Sequence, residues 1–507
     1  MAKYGTFLYG SGVLYGASTI NATIWLIEVD WDGDGIFDGT NEAGRTTNLY
    51  VKRGRENFLS ISSGGVAQGF EPIRPGTASI TVDNSDGRYN AYNTSSPLYG
   101  YLQPGALMRI RMINTSDGTP MPIFVGRVTD IQPYGSDRKK AVIKAEDGLR
   151  FLADADISVA LSTNIGIDDA IDSILTNASW PSVWPRSIES VTDVVPFWWA
   201  EGKALGEITN LSDSELGIFF HGADGTARYH SRHHSVDPTY TLTSADLLKD
   251  ISYPQPWETQ RNKIKITIHP RAAQASAALW TANTVNSLTP GDSITVWATY
   301  SYGSESPVPA RSVISPVATT DYLMNSQADG LGTNLTANLT VSMTDFGTTA
   351  KLVLTNTHAT QTGYITLLKV RGSAVASTSE VKVIDSSGDA DRALVMDLSW
   401  VQSANTASDF TNYLLGWLGT AKIFPTVVIE SRPDLQFNFD IQDTVGLTIP
   451  TLQIDDDYKI GMIEHTWSIE NGQATETRIT FEPKASFTPG SFWTFPTTLG
   501  TTSILGF

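Results

Sequence analysis

Alternating apolar and polar positions dominate the first third of the chain. "ATIWLIEVDW", "TASITVDN", "ALMRIRMI", "PIFVGRVTDI" and "KKAVIKAED" each repeat with a period of two, and "SDG", "QPG", "SDGTP" and "YGSD" fall between them as turns. Short strands at that spacing predict a β-barrel or sandwich over residues 19–157. The period then changes. In "GIDDAIDSILTNAS", Ile167, Ala170, Ile171, Ile174, Leu175 and Ala178 form a helical stripe. A second stripe, Ala204, Leu205, Ile208 and Leu211, runs through "KALGEITNLSDSE", and "GIFFHGADGTARYHSR" follows as a hairpin about "ADG". Residues 158–250 therefore predict a small α+β domain.

Beyond it, "NKIKITIH" alternates again. A stretch poor in charge and rich in Thr, Ser and Asn fills 275–375, with strand patterns in "DSITVWATYS", "NLTVSM", "AKLVLTN" and "GYITLLKVRG". It predicts a β-sandwich inserted into a second β-rich block made of 251–274 and 376–485. In that block "SDFTNYLLGWLG" sets Phe410, Tyr413, Leu414, Trp417 and Leu418 on one helix face. Residues 1–18, with Tyr-Gly pairs, read as an extended N-terminal arm, and 486–507 as a C-terminal tail. The fold class expected is mainly β and multidomain, and 507 residues suggest on the order of three to five domains.

Charge narrows the function. Asp plus Glu number 53 against 35 Lys plus Arg, a net charge of −18, which suits nucleic acid sliding past and not being clamped. The chain has no cysteine, so it has no disulfide frame and no thiolate metal site. "MAKYGTFLYGSG" predicts no secretory signal, and no uncharged apolar run approaches the ~20 residues of a membrane span.

Candidate chemistry begins at "VDWDGDGIFDGTNE", residues 29–42. Asp30, Asp32, Asp34 and Asp38 fall at positions one, three, five and nine of a calcium loop, with Gly35 at six. The bidentate acid of position twelve is replaced by Asn41, Glu42 comes one residue late, and the preceding "IWLIEV" is a strand. The stretch is either a structural calcium turn or a hairpin whose acids and glycines serve the turn alone. Among four clustered histidines, His221, His230, His233 and His234, neighbours 233 and 234 point to opposite faces of a strand, so a solvated strand end is the better reading than a metal cluster. Asp455, Asp456 and Asp457 read as a solvated turn between two strands. Trp184, Trp198 and Trp199 suit a core or an interface better than a sugar platform. No nucleophile elbow, P-loop or His-Glu-x-x-His occurs, so no enzyme is expected.

The order of the elements resembles a known family. "VDWDGDGIF" then "VKRGRE", "ASITVDNSDGRYNAYNTSSPLYGYLQPGALMRIRM", "GRVTDI", "AEDGLRFLADADIS", the "ADGTARYHSR" hairpin and "DTVGLTIP…YKIGMIEHTW…ETRITFEP" are similar to siphophage minor tail proteins, the tail-tip hubs related in fold to baseplate hubs of contractile tails. The resemblance covers about 19–270 and 376–484. It implies a homotrimer in the virion, made in the host cytoplasm, with two tail-tube-type β-barrel domains per chain, at 19–157 and at 251–274 with 376–485. Six such domains would meet a sixfold tube. It implies partners in the distal tail protein or tail tube, the tape measure protein and tip or fibre proteins, with DNA passing through. No cofactor is implied beyond the optional calcium. Arg53, Arg55 and Arg88 are candidates for subunit contacts. The rival readings are a hexameric distal tail protein, a cell-wall hydrolase, and a host-surface carbohydrate binder using Trp280 and Trp297.

Overall fold

The alternation read along the first block becomes six strands of one sheet. The computed structural model describes residues 23–37, 41–62, 66–114, 117–134, 139–246, 248–388, 392–430, 432–468 and 475–484, so the expected arm, tail and Asp38 lie outside the described residues. The six strands are β1 (Thr23–Asp30), β2 (Thr46–Gly54), β3 (Arg74–Asp83), β4 (Leu107–Asn114), β5 (Pro120–Pro133) and β6 (Lys140–Glu146). Their spatial order is β1-β4-β5-β6-β3-β2, every neighbour antiparallel. Alternate residues turn inward: Ile27, Val29, Val51, Ile80, Val82, Met108, Ile110, Met112, Phe124 and Ile143 are buried together. Each such side chain contributes about 1.5–3 kcal/mol by leaving water.

The same plan recurs late in the chain. The strands β7 (Tyr240–Thr243), β8 (Leu248–Ser252), β9 (Thr426–Glu430), β10 (Thr444–Ile449), β11 (Ile454–Ser468) and β12 (Thr475–Pro483) lie in the order β7-β10-β11-β12-β9-β8. Adding six to each label of the first unit reproduces the second. One pairing differs in sense: β1 runs antiparallel to β4, whereas β7 runs parallel to β10. The units are fused, because β2 pairs antiparallel with the far half of β11, from Asn48↔Ser468 to Gly54↔Met462, giving one 12-stranded sheet.

Between the units lie the expected helices, Ile167–Asn177 and Ala204–Glu215, and the hairpin Ile218–His221 with Ala227–His230. Their apolar stripes do not close a core of their own. Ile171, Ile174, Ile208 and Leu211 belong to one buried cluster with Val427, Leu447, Ile460, Ile479 and Phe481 of the second unit. The inserted segment is a β-sandwich: the long strand Gly363–Ser377 is the spine of one sheet, and Ser293–Thr299, Thr349–Asn356 and Leu339–Asp345 make the other. Leu352, Leu354, Ile365, Leu368 and Val370 fill the space between.

Three expectations are corrected. The strands β7 and β8, expected at the end of the α+β domain 158–250, belong to the second unit's sheet. The strand Lys263–Ile268 does not join the second unit's sheet. It sits in a separate five-stranded sheet, antiparallel to Val381–Ser386 and parallel to Ala393–Leu398, together with Ala67–Phe70 and Leu59–Ile61 of the first unit's β2–β3 connection. The helix Ala404–Leu418 covers this sheet, burying Phe410, Leu414 and Leu418 against Ile264, Ile266 and Leu394. Alternation fixes a strand's inner face but carries no information about which sheet takes it. Asp455, Asp456 and Asp457 are not a turn. They lie within β11, where the side chain of Asp455 accepts a bond from Thr448 Oγ1 at 2.9 Å, and the reversal occurs just before, at Pro450–Leu452.

Candidate functional site

The Asp-rich stretch closes β1 as a self-bonded turn. Asp30 is 3% exposed, and its two carboxylate oxygens accept the backbone N–H groups of Gly33 and Gly35, each at 2.9 Å. Those glycines adopt φ of +77° and +83°, a left-handed backbone that side chains resist. Asp34 Oδ1 accepts the Ile36 N–H at 2.7 Å. Carboxylate oxygens of Asp30, Asp32 and Asp34 lie within 4.8 Å of one another. Partial loss of water, then the charge of Asp34, holds the Asp32 carboxyl above its ordinary range.

The residues at the twelfth position turn elsewhere. Asn41 accepts the N–H of Ile27 at 3.1 Å and that of Ala43 at 3.0 Å, capping the turn Glu42–Arg45. Glu42 is buried, accepts from Trp31 Nε1 at 3.1 Å and from the Tyr89 hydroxyl, and stands 3.6 Å from Arg88 Nη2. A calcium ion takes about six to eight oxygens. The described residues offer three carboxylates, and two of those, Asp30 and Asp34, already accept backbone N–H groups. The acids brace a loop that leads from β1 through the single antiparallel bridge Glu28↔Asn41 to the turn Glu42–Arg45, and not the expected hairpin, since β1 pairs with β4 and not with β2.

"DNSDGRYN" and "SPLYG" join the same network. Asn84 Oδ1 accepts the Tyr89 N–H at 2.9 Å, Ser96 Oγ donates to the Arg88 carbonyl at 2.6 Å, and Arg45 pairs with Asp86 at 2.8 Å. The landmarks of this region are therefore one polar lattice around Glu42. Arg88 is part of it.

Arg53 and Arg55 lie at the seam between the units, 4% and 8% exposed, with partners inside the chain. Arg53 Nη2 donates to the His221 carbonyl at 2.9 Å and pairs with Asp440 Oδ1 at 2.6 Å, linking the first unit, the hairpin and the second unit. Arg55 grips Glu482 with two bonds, Nε to Oε1 at 2.5 Å and Nη2 to Oε2 at 2.6 Å, and donates Nη1 to the Glu71 carbonyl at 2.9 Å. Between them Gly54 has φ +111°, and a Cβ there would fall 2.1 Å from the Gly461 carbonyl oxygen. The seam thus requires glycine at Gly54. A cleft of about 620 Å³ opens beside it, lined by Arg55, Phe58, Glu71, Phe424 and Glu482; Arg55 is held by Glu482 and the Glu71 carbonyl, and the Glu71 carboxylate accepts from Arg74 at 2.5 Å.

The histidines divide. The His221 ring lies 5.8 Å from Trp180 and 5.3 Å from Trp184, and neither ring nitrogen has a hydrogen-bond partner among the described residues. Burial, then Arg53, pushes its pKa down to about 3. His230 stacks face to face on His234 at 3.6 Å, a geometry that aims their nitrogens at no common point, and His233 is exposed. His465, buried against Thr477 Oγ1 at 2.9 Å, is likewise pushed down to about 3 by burial. Trp184 and Trp198 are core residues, and the Arg271 guanidinium lies 4.7 and 4.6 Å from the rings of Trp199 and Trp400, which meet edge to face. Asp440 and Glu482, the acids that answer Arg53 and Arg55, carry no local sequence signal. They stand hundreds of positions away.

No protein-family model matches the chain, and no curated protein does. Among solved structures it is similar to a tail protein from Neisseria meningitidis MC58, at 10% identity and a TM-score of 0.49, covering 91% of this chain and 98% of that one. It is also similar to the 43 kDa tail protein of prophage MuSo2 from Shewanella oneidensis, at 12% identity and a TM-score of 0.48, covering 92% and 99%. A third is the prophage tail protein gp18 from Listeria monocytogenes EGD-e, at 9% identity and a TM-score of 0.39, covering 91% and 95%.

Proposed function

We propose that the chain is a structural hub of a siphophage-type tail tip, a homotrimer that joins a sixfold tail tube to a threefold tip and encloses the path of DNA. The observation that carries the reading is the doubled strand order, with two six-stranded units joined side by side in one chain. Three chains present six such units, which matches a sixfold ring with threefold symmetry. The ordered motifs from "VDWDGDGIF" to "ETRITFEP" support it, and a net charge of −18 suits a conduit that DNA crosses without adhering. The distal tail protein or tail tube would meet one face of the ring. The tape measure protein would end within it, and tip or fibre proteins would take the outer body. The polar networks around Glu42 and Arg53 are mechanical parts in this reading, not catalytic ones.

Light scattering on the purified protein is expected to give three chains per particle, and imaging of tail tips is expected to place the 12-stranded sheet around the channel. Six identical copies, or a chain lying outside the channel, would overturn the reading.

A further inference from the structure

The seam between the units is a template. Both long strands slip register at the same point, β5 between Val128 and Asp130, β11 between Ile460 and Met462. Just before the slip Arg127 faces Glu146, and Lys459 faces Glu482. At the slip, Val128 exchanges backbone bonds with Gly105 and Ala106 at 2.7 and 2.8 Å, the residues preceding β4. Ile460 does the same with Gln442 and Asp443 at 2.8 and 3.0 Å, the residues preceding β10. Past the slip the units part company. There β11 receives β2 along Met462–Ser468, while the matching stretch of β5, 130–133, has β6 on one side and no strand on the other among the described residues. The counterpart of β2 is β8, which among the described residues pairs only with β9. Both free edges are exposed, and each ends in an exposed tyrosine, Tyr134 at 44% and Tyr253 at 45%.

We propose that the β2–β11 seam recurs between chains, with β8 of one copy lying antiparallel along the open end of β5 in the next. The inference rests on the ring reading above and names the joint that builds it. Such a contact uses different surfaces on its two sides, so it closes a ring when the rotation allows. The register follows from the sheet. Tyr50 pairs with Ser79, which pairs with Lys144, which pairs with Asp130. Ser252 pairs with Thr426, which pairs with Thr480, which pairs with Met462. Ser252 therefore stands where Tyr50 does. Tyr50 faces Thr466, four residues past Met462, so Ser252 faces the residue four past Asp130, which is Tyr134. The same step sets Tyr253 against Pro133 and Pro254 against Gln132. These prolines lack an N–H, so this joint has fewer ladder bonds than the seam inside the chain and depends on its tyrosines for buried area.

The absence of native cysteine makes the test direct. Ser252→Cys with Tyr134→Cys in one chain is expected to oxidise, in the assembled protein, to a covalently closed trimer on a non-reducing gel. Facing Cα atoms in an antiparallel pair stand about 4.5–5.5 Å apart, within disulfide reach. Each single variant should stay uncrosslinked, as should Ser252→Cys with Thr129→Cys. Pro254→Cys with Gln132→Cys gives an independent reading should the first pair misfold. A trimer in solution in which neither pair crosslinks overturns the joint and leaves the ring standing. Crosslinks in a single variant show like edges meeting and also overturn it. A chain that stays monomeric at every concentration overturns the joint and the ring together.

Discussion

The two six-stranded units share a strand order and differ in what fills the gaps between strands. In the first, the β2–β3 connection is short, residues 55–73, and the β3–β4 connection, 84–106, carries the Asn, Asp, Gly and Tyr positions that lock onto Glu42. In the second the proportions reverse. Residues 253–425 lie between β8 and β9, with a whole sandwich among them, and only 431–443 between β9 and β10. The first unit closes on its own apolar core and carries a local polar lattice over its connections. The second is held by a core shared with the helices Ile167–Asn177 and Ala204–Glu215. A strand order constrains edges and inner faces and leaves the connections free, so insertion and ornament accumulate there.

That contrast can be broken first at the seam. Arg55→Ala should destabilise by about 4 kcal/mol, since it strands Glu482 buried without its partner. Urea melts followed by separate probes in each unit should show both units loosening, and a loss under 1 kcal/mol would contradict the clamp. Gly54→Ala should cost about 3 kcal/mol through left-handed strain and collision with Gly461. Arg150→Ala, in an exposed pair with Asp154, should cost far less.

The buried histidine at the three-way junction sharpens the comparison by pH. The folded pKa of His221 is about 3, below an unfolded value of about 6.5, so folding favours the neutral ring. Its contribution is complete above pH 6.5 and is lost as pH falls toward 3, because the unfolded chain binds the proton first. Asp147, pushed up to about 7 by burial, works in the opposite direction, so the mutant difference is the quantity to read. Between pH 7 and pH 5, His221→Phe should lose about 2 kcal/mol less stability than the parent chain. Parallel stability curves for the two proteins would rule this out.

The smallest effect belongs to the Asp-rich turn. Asp32→Asn and Asp34→Asn should shift stability by no more than about 0.5 kcal/mol, because both side chains are exposed and Asp30 carries the turn. Calcium should leave the melting temperature of the parent chain unchanged. A calcium-dependent rise that the two substitutions abolish would show a metal held in the turn.

What the sequence made legible is what is periodic or contiguous. The stripes from Ile167 to Ala178 and from Phe410 to Leu418 became helices buried on those faces, and the hairpin formed about "ADG". The landmarks of the first unit were visible as motifs, although their meeting point at Glu42 was not. The partners of Arg53 and Arg55 lay beyond reach, as did the sheet that takes Lys263–Ile268. Such pairings join residues more than a hundred positions apart, and alternation is silent on partner choice. The doubled strand order was hidden for the same reason, since it exists in the pairing and not in the letters.

The inserted sandwich departs and returns through a narrow neck, where Arg271–Ala273 runs antiparallel to the end of the spine strand, Arg271 opposite Ser377 and Ala273 opposite Val375. Its two ends are already neighbours, so chain hung there adds little closure cost, and the sandwich touches the body again where Ser158 Oγ donates to the Phe346 carbonyl at 3.2 Å and Thr348 Oγ1 to Glu201 at 2.8 Å. The neck works as a socket. What hangs from this neck can differ in size while the seam and the strand order stay as they are.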